Sequence, residues 1–141
     1  MRWRRSCLTE SRAKRIAAQA EPDGRQPKET ARTRGISYSA MNLNGLMLLA
    51  TLGERVGVNF WSYRTSDGRG IRQALDWLAP YASGEKKWPY AQIEPYNRAD
   101  LAPALLRAAA HYREARYLAL VRPEDAARDV PTMLLRRAAG Q

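Results

Sequence analysis

A chain of 141 residues that is 45% hydrophobic, with a mean hydropathy of −0.58, has room for one modest core under a polar surface. Lys and Arg number 24 against 14 Asp and Glu, a formal charge of +10 and a pI near 10.4, which favours an anionic partner: nucleic acid, acidic polysaccharide or anionic lipid. The single cysteine, Cys7, excludes an intrachain disulfide, Cys7 and the only histidine, His111, cannot make a zinc site, and no apolar run reaches the roughly 18 residues of a membrane span.

The first residues, MRWRRSCLTESRAK, have the basic head of a signal peptide without its apolar middle. Residues 9–20, TESRAKRIAAQA, predict a helix, with Thr9 or Ser11 as cap and an Ala-rich body. Pro22, Gly24 and Pro27 break it, and residues 28–37 read as irregular or weakly helical. From Ser39 to Val56 the spacing is helical again. Met41, Leu48, Leu52 and Val56 form one stripe, and Leu46, Met47 and Leu49 widen it, so this helix is expected to be packed on several sides. Asn42 and Asn44 stand near its start, where one could cap it. Gly57 supplies a stop.

An aromatic loop, VNFWSYRTSDG, leads to a helix over 68–82, in which Ile71, Ala74, Leu75 and Leu78 share a face. A second aromatic loop, SGEKKWPYAQIEPYNRA, precedes a helix over 100–115 with Pro103 in its first turn. A last helix is expected at 123–138, interrupted near Pro131. No period-two pattern occurs, so the fold class is all-α: helical hairpins with long loops.

Several blocks occur in order: EPDGRQP, ARTR followed by a tyrosine, NL-x-GL, ERVGV-x-x-W and KKWPY. In this order and spacing, residues 12–121 resemble the alginate lyase domain of polysaccharide lyases. The resemblance implies a sector of an incomplete α/α toroid, a periplasmic or secreted location, an acidic polysaccharide as partner, and cleavage of uronate polymers by β-elimination without a cofactor. The family's Asn-His motif on an earlier helix has no counterpart here, so the chain is expected to be one partial domain, 1–141, matching the C-terminal part of the family domain and weak or inactive alone. A toroid sector lacking its neighbours is expected to self-associate.

β-Elimination on a uronate needs a group that neutralises the C5 carboxylate, a base for the C5 proton and an acid for the leaving O4. Arginine suits the first task because its planar fork is always charged and grips a carboxylate with two parallel bonds. Tyrosine suits the proton steps, since neighbouring cations favour the phenolate. Arg34 and Tyr38 are therefore the expected catalytic pair, four residues apart and on one face if the segment is helical. Arg25, Arg32, Asn42 and Trp88 are the expected substrate-binding residues, with Trp88 able to stack on a pyranose ring. The bland alternatives are a loop-anchoring Tyr38, and Arg32 and Arg34 paired to Glu29 or Glu54. No metal site is expected. A non-catalytic acidic-glycan binder is a second reading, and a basic helical nucleic-acid binder a third, carried by charge alone.

Overall fold

A computed structural model of the chain describes residues 2–126, with side chains from Ser6 onward. The elements in order are α1 (Arg2–Ser11), a π-helical continuation (Arg12–Ala17), α2 (Pro27–Thr30), α3 (Gly35–Glu54), α4 (Ile71–Ala82), a 3₁₀ turn (Arg98–Leu101), α5 (Ala102–Tyr112), α6 (Ala115–Leu118) and α7 (Pro123–Ala126). Among the described residues there is no strand, only one antiparallel bridge between Arg34 and Gln92. The all-α class expected from the sequence is the one observed.

The core lies where α3, α4 and α5 meet. Leu43, Met47 and Ala50 of α3, Leu75 and Leu78 of α4 and Ala104 and Ala108 of α5 are almost wholly excluded from water. Small residues on α5 let the helices approach closely, while Leu and Ile fill the gaps. Phe60, fully buried, folds the aromatic loop back under the end of α3. There a Cβ on Gly53 would lie 2.6 Å from the Phe60 ring and 2.7 Å from the Val58 carbonyl oxygen, so only glycine fits. Ile16 ties the π-helical turn to the same core. The chain then turns at Gly24, whose positive φ of 98° and contact with the α4 backbone both require glycine.

The bottom of α4 is clamped by charge. Asp76 accepts from the Tyr117 hydroxyl at 2.8 Å, Arg116 bonds Asp76 and Glu114, and Arg72 pairs with Glu114. Burial, then the Asp76 carboxylate, pushes the Tyr117 phenol well above its ordinary range.

Three expectations need correction. The first helix begins at Arg2, not near residue 9, and its second half widens to π geometry, with Ala18 N–H bonded to the Ala13 carbonyl. The helix expected from Ser39 begins earlier, at Gly35, so the segment 28–37 holds most of α2 and the start of α3. The third concerns the apolar stripe of α3. Met41, Leu48 and Leu52 are 59%, 48% and 49% exposed, and the helix is buried instead through Ile36, Ala40, Leu43, Met47 and Ala50. Periodicity marks two apolar faces on this helix, and among the described residues only one is buried. The last expected helix, 123–138, is described only over Pro123–Ala126; residues 127–138 lie outside the described residues.

Candidate functional site

The basic stretch before α3 is held by the second aromatic loop. Gly35 N–H bonds the Ala91 carbonyl at 3.0 Å, and Ile93 N–H bonds the Thr33 carbonyl at 3.0 Å. Gln92 reinforces the pairing: its amide oxygen accepts from Ile36 N–H at 3.3 Å, and its amide nitrogen donates to the Ser37 hydroxyl at 3.1 Å. Two segments distant in sequence thus fix the entry angle of α3. Arg34 stands at its N-cap position and Tyr38 one turn later, with Tyr38 N–H bonded to the Arg34 carbonyl. The predicted four-residue offset therefore becomes a shared face.

On that face three side chains converge. The Arg32 guanidinium lies 3.3 Å from the centre of the Tyr38 ring, and the Arg34 guanidinium 5.9 Å from it. Both cations are about half exposed and each has a carboxylate nearby: Glu29 at 3.3 Å from Arg32 and Glu94 at 3.3 Å from Arg34. The Glu94 contact is an ion pair without hydrogen-bond alignment, so Arg34 Nε lacks a well-directed acceptor. Pairs this exposed are weak. Glu54, the other partner considered for these cations, pairs with His111 at 2.9 Å.

Two concavities flank the trio. One, of about 430 Å³, is lined by Arg34, Ser37, Tyr38, Met41, Asn44 and Asp100 among others. The second, of about 400 Å³, is lined by Arg15, Gln19, Glu29, Arg32, Asn42 and Leu49 among others. Met41 lines both, so the two adjoin along α3, and they are called the groove below. Gly45 leaves the floor of the second open, with nothing within 4 Å of a Cβ built there.

The remaining expected binding residues divide. Asn42 lines the second concavity and donates to the Gln26 side chain at 2.7 Å. It sits inside α3 and does not cap it; Asn44 likewise donates to the Asp100 carbonyl from within the helix. Arg25 is drawn away to Glu21, at 2.6 Å, and lines neither concavity. Trp88 packs edge-on against Trp77, Tyr81 and Tyr90 and lies behind Gly35, where a Cβ would come within 3.1 Å of its ring. It also lines neither concavity.

Sequence reasoning missed Asp100 and Asn97, which close the groove from the loop before α5. Nothing near them in sequence marks them out; burial of Leu101 in the core and the Asn44 bond to Asp100, across 56 residues, bring that turn to α3. Neighbouring protein mass partly desolvates Asp100 and raises its carboxyl above the ordinary carboxylate value, an effect Arg34 partly offsets. No cluster of His, Cys, Asp and Glu suited to a metal ion occurs among the described residues.

Two arginines and a tyrosine thus share one wall at the start of α3, and the comparisons bear on their chemistry. The chain matches the family described as Alginate lyase over residues 2–88, more than half of its 141 residues. It is similar to a solved alginate lyase from Bacteroides ovatus, at 32% identity and a TM-score of 0.77, over 89% of this chain. It spans only 33% of that enzyme's length. No curated protein matches. The helical architecture is that of a sector of an α/α toroid, and the chain belongs to the alginate lyase family.

Proposed function

We propose that this chain is a polysaccharide lyase-like protein that holds a uronate polymer in the groove along α3 and acts on it by β-elimination. The observation that carries the reading is the stacking of Arg32 on Tyr38, with Arg34 beside them, in the wall of a groove. Arg34 neutralises the C5 carboxylate, displacing its loose contact with Glu94. Tyr38 takes the C5 proton as the C4–O4 bond breaks. A C4–C5 double bond forms, and O4 leaves with a proton returned by the phenol. Arg32 holds Tyr38 in place and, with Asn42, meets the neighbouring sugar. Asp100, whose carboxyl partial burial raises against the pull of Arg34, lines the same space. An acidic polysaccharide as partner places the working compartment in the periplasm or outside the cell.

One observation favours a second reading, binding without cleavage. The only histidine, His111, is held at Glu54 near the far end of α3, so no imidazole stands beside Tyr38. The two readings separate in one assay. Alginate is incubated with the 141-residue chain and the unsaturated product is followed by ultraviolet absorbance. Retention on an alginate column at low salt, falling as salt rises, is expected under both. Product formation lost in Tyr38→Phe supports cleavage. Retention without product supports binding alone. A chain that does neither, yet shifts DNA in a salt-sensitive way, refutes both and leaves the nucleic-acid reading.

A further inference from the structure

A second cavity, of about 490 Å³, lies at the opposite end of the helical core. Its walls come from the loop after α3, the first turns of α4 and the last turn of α5, including Tyr63, Arg64, Arg72, His111 and Tyr112. It shares no lining residue with the groove. A 20-residue helix is about 30 Å long, and the groove occupies the start of α3 while this cavity lies past its end.

Three donors in this wall have no acceptor among the described residues. The α4 helix starts after Gly70 without a side-chain cap or an acidic residue in its first turn, which leaves the N–H groups of Arg72 and Gln73 outside the helical ladder. Independently, Trp61 lines the cavity, is only 3% exposed, and its indole N–H finds no acceptor. His111 stacks on that indole at 4.5 Å and is anchored by Glu54, so the ring is held in place. Charge adds to this. Arg64 is exposed, forms no ion pair with the described residues, and lies over the Gly68 turn. Arg72, beside it, is engaged by Glu114 and Asp76.

A bare inorganic anion would need only the cations. This wall also offers the rings of Tyr63 and Tyr112, the Ser62 hydroxyl and the Asp76 carboxylate, which suit the apolar face and hydroxyls of a sugar. We propose that the cavity is a second, non-catalytic site for a carboxylate-bearing sugar unit, with Arg64 holding the carboxylate. The choice of a uronate rests on the proposed function; the existence of the site does not. Two sites at opposite ends of the core would let one chain grip a polymer at two points and gain affinity through effective concentration.

The test titrates the 141-residue chain with an alginate-derived trisaccharide and follows the Trp61 indole and Arg64 amide resonances alongside those of Ser37 and Tyr38. Saturable shifts at Trp61 and Arg64, weakened about tenfold in Arg64→Ala with the groove signals unchanged, are expected. Shifts confined to Ser37 and Tyr38 overturn the second site and leave the groove reading standing. Shifts at Trp61 and Arg64 that Arg64→Ala weakens, with a silent groove, support the second site and count against the groove. Silence at both overturns both. Equal shifts from sulfate at matched ionic strength overturn the assignment to a sugar.

Discussion

Arg34 and Glu94 show how a single contact can be read two ways. At 3.3 Å and poorly aligned, the pair is exposed on both sides, so it contributes little to folding. Its effect falls on binding, because Glu94 competes with any incoming carboxylate. Glu94→Gln is therefore expected to tighten retention of oligo-uronates severalfold at low salt, measured by titration calorimetry, with an unchanged melting temperature. Arg34→Ala should act in the opposite direction. Loss of a charge-assisted contact costs about 1.5–3 kcal/mol, or roughly tenfold to a hundredfold in affinity. If both variants bind like the parent, Arg34 is a solvated cation and the groove reading fails at its centre. Gly53 is the contrasting case, a residue with a steric role only. Gly53→Ala drives a methyl into the Phe60 ring and the Val58 carbonyl, and about 1–3 kcal/mol of lost stability is expected in urea unfolding.

At the scale of the element, the helices were legible where periodicity and punctuation agreed. Ile71, Ala74, Leu75 and Leu78 predict α4, and all four are buried. Pro103 sits in the first turn of α5 as expected. The start of the first helix was not legible, because the π-helical turn at Arg12–Ala17 follows the anchoring of Ile16 in a distant core and not local propensity. In the groove, Arg32, Arg34 and Tyr38 could be picked out because arginine and tyrosine crowd one short stretch. Asp100 and Gln92 could not, since tertiary pairing alone brings their loops to α3. Trp88 illustrates the limit of reading loops by composition: its ring is half-buried in an aromatic cluster that seats the loop behind Gly35. The α5 end makes a testable case of its own. Tyr112 donates to the Trp61 carbonyl at 2.9 Å, and burial pushes its phenol up to about 12. A raised folded-state value means that its contribution to stability is complete below the unfolded value near 10 and is lost as pH rises through about 12. Unfolding free energy should fall across that window, and Tyr112→Phe should make the fall shallower while lowering stability at neutral pH by about 1 kcal/mol for the lost bond. An identical pH profile in the variant would remove Tyr112 from the account.

For the whole molecule, the deciding feature is the outer face of α3. Met41, Leu48 and Leu52 are between 48% and 59% exposed and share one side of the helix, with Val56, 36% exposed, just past its end. Single exposed apolar residues are ordinary, but a continuous stripe on a helix whose other face is core is not. This chain spans 33% of the length of the solved relative. Leaving the area of the stripe in water costs about 25 cal/mol per Å², which association recovers. The formal charge of +10 opposes the pairing of two copies, and this opposition is screened by salt while the apolar term is not. The balance gives association that strengthens with ionic strength, the reverse of the behaviour expected for binding a uronate polymer. Sedimentation velocity across a concentration series should show a monomer–dimer equilibrium that shifts toward dimer as salt rises from low to moderate. Leu48→Glu and Leu52→Glu together should hold the chain monomeric, and because both positions are half exposed they should cost little stability in the monomer, within about 0.5 kcal/mol each. A parent chain that stays monomeric at every concentration and salt, with a sharp melt independent of concentration, would mean that the stripe is tolerated in water and that this sector is stable alone.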